Sequence, residues 1–216
     1  MVLAIVFPTK ATKVAPTNSV SLTAEQLSNF LIMIKKWETL SSKMMLHLKI
    51  MELWSNERRS PTKGSDHTFY AIHSNDWVNV VPVTADGKIV MVRQFRHGNQ
   101  EITLEIPGGL VDNGEEPIVS AARELREETG FLSDSLLKIG AVAPNPALFN
   151  NVCHSFLATH AVQKYDIAPD GTEELEMSLH TLEEITEMIA TGKITHALTI
   201  NAIYWYEKYL AKQGKA

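Results

Sequence analysis

The sequence predicts a layered α/β or α+β domain. Three observations carry that expectation: short β-rich runs separated by turn residues from about residue 46, one amphipathic helix at 117–129, and two helical stretches closing the chain. Strands in that number, with so few helices, bury their faces in layers rather than in a bundle.

Residues 1–22 contain Pro8, Pro16 and several Ser and Thr with no sustained period, and are expected to form a loose leader. SLTAEQLSNFLIMIKKW, 21–37, reads as a capped helix. Ser21 or Thr23 caps it, Glu25 falls in its first turn, and Leu27, Phe30, Leu31 and Ile34 form its apolar stripe. HLKIMELW (47–54), HTFYAI (67–72), WVNVVPV (77–83), KIVMVRQF (88–95) and ITLEI (102–106) read as strands, with a hairpin turn at ADG, 85–87. After the central helix come the strands LLKIGAVA (136–143) and CHSFLAT (153–159). LEEITEMIA (182–190) and HALTINAIYWYEKYLAK (196–212) then read as helices joined through Gly192. The expected division is an N-terminal extension over 1–45, one domain over 46–211 and a flexible tail over 212–216.

With 216 residues and 44% hydrophobic side chains, the chain suits one domain with an appendage. A net charge of -5 gives no electrostatic footprint for nucleic acid, so an anionic ligand needs locally placed Arg or a cation. Cys153 is alone, which excludes an intramolecular disulfide and makes a reducing cytoplasm the expected compartment. No apolar run approaches the roughly 18 residues of a membrane span. MVLAIVFP is short and lacks a basic flank, so neither a membrane partner nor a signal peptide is expected.

Pro117 suits the first turn of the central helix, and Gly130 sits where a C′ residue ends it. At about 100° per residue, Ile118, Ala121, Ala122 and Leu125 form an apolar stripe. Glu124 and Glu128 flank it and Glu127 lies just beyond, while Arg123 and Arg126 are expected to point elsewhere. Like charges at this spacing cost a few tenths of a kcal/mol per pair. A compensating ligand is therefore expected, and carboxylates beside the glycine-rich GGLVDNGEE, with its further acid Glu115, suit a hard divalent cation.

Gly109, Glu115, Arg123, Glu124, Leu125, Glu127, Glu128, Gly130 and Phe131 fill all nine defined positions of one signature. The chain thereby resembles the Nudix hydrolases. That resemblance implies an α/β/α sandwich on a mixed sheet with additional N-terminal strands, a loop–helix–loop that binds Mg²⁺ or Mn²⁺, and cleavage of pyrophosphate linkages. Carried over by position, Glu124 and Glu128 are metal ligands, and Glu127 is a further ligand or a catalytic group supporting them. The Gly108 carbonyl is an extra donor, and Arg123 orients the carboxylates by pairing with one, such as Glu115.

VRQFRHGNQEITLEIPGG resembles the segment preceding the signature in ADP-ribose and nucleoside diphosphate sugar pyrophosphatases. By that resemblance Arg96 contacts substrate phosphate, Glu105 lies near metal or substrate, and Pro146 stands at a shared spacing after Gly130. PNPALFNN departs from the Ser-Pro-Gly segment ending in an acid that the ADP-ribose group more often shows, which leaves other nucleoside diphosphate sugars open. The same resemblance implies a general base on a loop far beyond the signature, here YDIAPDGTEELEM, with Glu173 the first choice by register and Glu174 the second. Trp54 and Tyr70 lie where dimers of the group sandwich adenine between subunits, which implies a homodimer. Cys153 and His154 face opposite ways on a strand and read as structural.

The expected activity is divalent-metal-dependent hydrolysis of ADP-ribose or a related nucleoside diphosphate sugar to a nucleoside monophosphate and a sugar phosphate. Two other readings keep the domain but change its role: a nucleoside triphosphate pyrophosphohydrolase, and a nucleotide sensor that does not cleave. The strands preceding the signature speak against the first, and retention of Glu115, Glu124, Glu127 and Glu128 against the second.

Overall fold

The computed structural model describes residues 34–169 and 174–214. The leader and most of the helix predicted over 21–37 lie outside the described residues, and 34–37 take no regular form. β1 (Glu38–His47), β2 (Met51–Arg59) and β3 (Asp66–Ser74) make an antiparallel three-stranded sheet. The strand predicted over 47–54 is in fact a hairpin. His47 ends β1, Met51 opens β2, and the Leu48 N–H donates to the Met51 carbonyl across the turn at 2.8 Å. This turn contains no Gly, Pro or Asn, and its apolar alternation runs on through the bend. The expected boundary at 46 falls inside β1, whose whole length is exposed, so that it lacks the buried face that makes a strand legible.

The chain continues through β4 (Trp77–Val83), β5 (Ile89–Arg96), β6 (Glu101–Glu105), β7 (Gly108–Leu110), α1 (Pro117–Thr129), β8 (Phe131–Leu132), β9 (Leu136–Val142), β10 (Cys153–Thr159), β11 (Val162–Gln163), β12 (Glu176–His180), α2 (Leu182–Ala190) and α3 (Ala197–Lys212). The hairpin at 85–87 forms as predicted, with Gly87 at φ 83 and its N–H on the Thr84 carbonyl. α3 runs one residue past the expected domain end at 211.

Among the described residues, seven strands form the main sheet, in the order β12-β5-β4-β10-β9 with β6 on β5 and β7 on β4. β4 and β10 run parallel and the other pairs antiparallel, so the sheet is mixed. Arg93 pairs with both Glu176 of β12 and Leu104 of β6, which places β6 on the β4 side of β5. Residues 77–79 pair with both β10 and β7, which places β7 on the β5 side of β4. β4 and β5 themselves meet only at Val83 and Ile89. They therefore splay apart, and the β6–β7 segment fills the wedge and delivers the glycine loop to its mouth.

Alternation along β4, β5 and β10 sorts the core into two faces. Val78, Val80, Val90, Phe156 and Ala158 pack with Ala121 and Leu125 of α1. Val81, Ile89, Met91 and Leu157 pack with Ile185 of α2 and Ala202, Ile203 and Tyr206 of α3. The result is the expected α/β/α sandwich. Thr181 and Glu184 form a capping box on α2. Among the described residues no helix is long and apolar enough to cross a membrane.

Candidate active site

The signature helix starts at Pro117 and ends on Gly130, whose φ of 71 and N–H to the Arg126 carbonyl make the left-handed C-terminal turn. Its buried face differs from the expected stripe. Ile118 is 45% exposed, and the buried residues are Ser120, Ala121, Leu125, Glu128 and Thr129. Glu128 thus lies within the buried face rather than beside it, at 2% exposure. A carboxylate there needs partners. The Gly108 N–H supplies one, donating to Glu128 Oε2 at 2.9 Å.

The two glycines are fixed by space. A Cβ on Gly109 would overlap the Glu124 carboxylate, 2.6 Å from its Cδ, and one on Gly108 would stand 2.8 Å from Asn79 Cα. The Val80 N–H donates to the Pro107 carbonyl and the Val111 N–H to the Asp76 carbonyl. Alternation between these bonded pairs leaves Gly108, opposite Asn79, at a position that does not bond β4. Its carbonyl therefore turns to the same edge as the N–H held by Glu128, which brings a backbone oxygen beside the helix acids.

Arg123 does not point away from the acids, as the helical wheel suggests. Its long side chain folds back so that Nη1 donates to Glu124 Oε1 at 2.9 Å and Glu127 Oε2 at 3.1 Å, while Nη2 reaches the Leu110 carbonyl and Glu115 Oε2. Burial opposes the charge of this guanidinium, but Glu124, Glu127 and Glu115 together hold its pKa above the ordinary arginine value. Glu115 also accepts from Ser120 Oγ, and that bond and the Arg123 charge hold its carboxyl below the usual range. Arg126 does leave the acids, its guanidinium lying 5.0 Å above the Tyr165 ring.

The donor chemistry of Glu124, Glu127, Glu128 and the Gly108 carbonyl fits a hard divalent cation, because every candidate atom is an oxygen. The space kept open at Gly109 for the Glu124 carboxylate belongs to the same arrangement. Among the described residues, however, no three acidic, His or Cys side chains stand together as a ready-made metal cluster. Arg123 draws two of the acids to itself, and Gly108 anchors the third.

On the wedge's other side, Arg96 ends β5 and Glu105 ends β6. They form a two-pronged pair, Nε to Oε1 at 2.8 Å and Nη2 to Oε2 at 2.6 Å. Glu105 is 1% exposed and also receives the Thr103 hydroxyl, and His196 Nδ1, which pairs with Thr199 Oγ1, stands 3.2 Å from its Oε2. Burial acts to raise its pKa, but Arg96, with His196 and Thr103, outweighs that and holds the carboxyl below the usual range. Sequence reasoning found Arg96 and Glu105 but missed Thr103, His196 and Thr199. No motif marks these three, and only the fold brings the start of α3 to the end of β6.

The remaining expected residues are scattered. Trp54 is opposite Ala71 and Tyr70 opposite Ser55, so the two aromatics lie on opposite faces of the N-terminal sheet and cannot sandwich one base within a single chain. Trp54 stacks on His73 at 5.0 Å and donates to Glu52. Pro146 is exposed in a turn in which the Leu148 and Phe149 N–H groups reach the Asn145 carbonyl, and that turn leans on Ile72 of β3. Glu173 lies outside the described residues, and Glu174 is exposed just before β12. The segment leading towards them is docked on the end of α1, with the Ala168 N–H on the Glu127 carbonyl and the Lys164 and Tyr165 N–H groups on the Gly130 carbonyl. Cys153 is buried, which pushes its thiol up to about 12, and His154 bridges Asp76 and Lys138.

The family model of the NUDIX domain matches residues 74–201, a span that holds the acids of α1, the Arg96–Glu105 pair and the wedge. The chain belongs to the Nudix hydrolase family. Enzymes of this family generally need divalent metals. The Nudix chain is 31% identical over 179 residues to the ADP-ribose pyrophosphatase of Bacillus subtilis (strain 168), a match covering 82% of this chain and 96% of that protein. It is 32% identical over 146 residues to the ADP-sugar pyrophosphatase of Mus musculus, covering 62% and 66% of the two chains. The crystal structure of an ADP compounds hydrolase superposes with a TM-score of 0.75 over 85% of this chain and 98% of its own, at 20% identity, a likeness of fold.

Proposed function

We propose that this Nudix hydrolase cleaves the pyrophosphate bond of ADP-ribose or a related nucleoside diphosphate sugar, giving a nucleoside monophosphate and a sugar phosphate. The observation that carries the proposal is the pairing of two sites across one wedge. On α1, Glu128 meets Gly108 and Glu124 meets Gly109 of β7, with Glu127 tied to Glu124 through Arg123, and Arg96 stands held by Glu105 on β5 and β6. The names of the relatives from Bacillus subtilis and Mus musculus support the substrate class. In this reading Glu124, Glu128, Glu127 and the Gly108 carbonyl hold a divalent cation, Mg²⁺ first and Mn²⁺ second. When held by these residues, a cation would supply positive charge to offset the diphosphate and acidity to activate a water. Arg96 binds and orients the phosphates. Arg123 keeps the acids charged and aligned, and Glu173 or Glu174 takes the proton from the attacking water. Trp54, Tyr70 and Pro146 are proposed to border the nucleoside, with a second copy of the chain completing the base contact in a homodimer.

The test is a panel of ADP-ribose, other nucleoside diphosphate sugars, diadenosine polyphosphates and deoxynucleoside triphosphates, with Mg²⁺, with Mn²⁺ and after chelation. Preferential release of nucleoside monophosphate from ADP-ribose or another nucleotide sugar is the expected result, lost on chelation. Faster cleavage of triphosphates replaces this reading with pyrophosphohydrolysis of nucleotides, and nucleotide binding without any turnover replaces it with sensing. For the base, Glu173→Gln should lower kcat more than it raises KM, and the same result from Glu174→Gln alone moves the role by one residue.

A further inference from the structure

We infer that α3 rests on the main sheet through a buried water site, a seam in which ordered water bridges Asn79, Ser155, Asn201 and Trp205. Among the described residues, six buried side-chain polar atoms have no hydrogen-bond partner within the protein, and four of them are Asn79 Oδ1, Ser155 Oγ, Asn201 Oδ1 and Trp205 Nε1. The fold brings these four together. Ser155 of β10 is in register with Asn79 of β4 on one side and with Gly140 of β9 on the other, so the three form one row across the sheet. That row faces α3. Asn79 Nδ2 donates to the Leu198 carbonyl at 3.2 Å, and a Cβ on Gly140 would stand 2.4 Å from Trp205 Nε1. The row covers two strand spacings, about 9.6 Å, and Leu198 to Trp205 covers about 10.5 Å of helix. α3 therefore crosses β4, β10 and β9 in that order, and Asn201, on the same side of the helix as both ends, comes to lie over Ser155.

The four atoms are chemically complementary. The indole N–H only donates, a hydroxyl both donates and accepts, and an amide oxygen only accepts. Turning Asn79 over does not change this, because its Nδ2 is held by the Leu198 carbonyl and Oδ1 in its place would face another acceptor. Ser155 Oγ could serve Asn79 Oδ1 or Asn201 Oδ1, and Trp205 Nε1 could serve Asn201 Oδ1 one turn away, yet none of these bonds is made. Neighbouring donors and acceptors that are sealed from bulk solvent and do not reach one another are bridged by water in folded proteins. A dry seam would leave all four unpaired, which buried polar groups rarely are. Water also fits better than an ion, since it gives two protons and takes two, and these four groups mix donors with acceptors and carry no charge. Asn79 lies opposite Gly108, so the seam begins directly beside the glycine loop.

The experiment is a crystal structure of the full chain at a resolution that shows ordered water, joined to NMR cross-relaxation between water and the Trp205 indole N–H in wild type and in Ser155→Ala. Trp205→Phe assigns the indole signal. The crystal is expected to show ordered water within about 3 Å of at least two of the four atoms. The indole N–H is expected to show cross-relaxation with the sign of a long-lived bound water. That signal should persist in Ser155→Ala, where three of the four partners remain. Direct bonds among the four side chains, or no ordered water within hydrogen-bond reach of them, overturns the inference. So does a signal that vanishes in Ser155→Ala, since it then came from the serine hydroxyl rather than from water. If Ser155→Ala does not fold, the wild-type crystal structure decides alone.

Discussion

Single atoms decide the chemistry of the signature loop. The hydrogen of Gly109 is what lets the Glu124 carboxylate stand against β7. Gly109→Ala is expected to leave the sheet pairing intact while pushing that carboxylate away, with a loss in kcat of about a hundredfold if Glu124 is a ligand. Steady-state kinetics beside thermal melting checks this, and near-normal kcat in a folded variant removes Glu124 from the cation site. Glu128→Gln is milder in shape, since the amide oxygen still accepts from Gly108, but it removes the charge. Its kcat should fall by about two orders of magnitude or more, and normal turnover in a folded Glu128→Gln protein excludes Glu128 as a ligand. The Glu105 cluster predicts a pH effect of definite sign. His196 has a folded pKa depressed below 6.5, so the unfolded chain takes up its proton first and stability falls as pH drops below that value. Glu105, depressed below 4.5, adds a second loss in the carboxylate range. Urea midpoints from about pH 8 to about pH 4 should therefore decline in wild type, and His196→Asn should lose the part that begins near neutrality. An identical slope in that variant shows that His196 does not titrate in this range.

At the scale of elements, legibility in the sequence followed burial. β4, β5 and β10 bury both faces and read plainly as apolar runs, and α1 and α2 carry their own punctuation in Pro117, Gly130 and the Thr181–Glu184 cap. β1 buries neither face, and the turn at Leu48 has no turn residue, so both escaped notice. The carboxylates of α1 were legible because their spacing is local, whereas the Arg123 bonds depend on side-chain reach and the His196–Glu105 contact on tertiary packing. α3 lies close over β9 for a similar reason that periodicity does not show. Gly140 admits the Trp205 indole so nearly that a Cβ there would meet ring atom Cδ2 at 2.5 Å. Gly140→Ala is expected to cost about 1–3 kcal/mol through overpacking. In a Trp205→Leu background the same change should cost much less, because the obstacle is gone. Equal costs in the two backgrounds, measured by urea unfolding, mean that the helix shifts freely and the contact does not hold α3 in place.

At the scale of the molecule, the N-terminal sheet is joined to the body through the Phe149 loop, by the Ile72 N–H to the Leu148 carbonyl, the Asn150 N–H to the Ile72 carbonyl and the Ser74 N–H to Asn150 Oδ1. Met44, Met45, Leu46, Leu48, Ile50, Phe69 and Tyr70 are exposed on it, and β1 is an edge strand. A small sheet with so much apolar surface is stable and soluble when something covers it. The proposed homodimer supplies that cover, and it sets which face is used. Met44 pairs with Trp54 and Leu46 with Leu53, and because Leu53 and Trp54 are consecutive on β2, the bulge between Met44 and Leu46 sends their side chains to opposite faces. Burying one such side chain is worth about 1.5–3 kcal/mol, and a homodimer carries it twice, so replacing it with lysine should weaken association by about a hundredfold or more. Light scattering during size exclusion is expected to give twice the 24.1 kDa chain mass for wild type. Met44→Lys and Leu46→Lys should then behave differently: the variant on the covered face dissociates on dilution and the other does not. If it is Met44→Lys, the partner covers the face bearing Trp54, and that variant should also lose affinity for the adenine end of the substrate. A 24.1 kDa wild type at tens of micromolar, or two variants that both keep the dimer mass, would mean that this sheet is not the dimer interface.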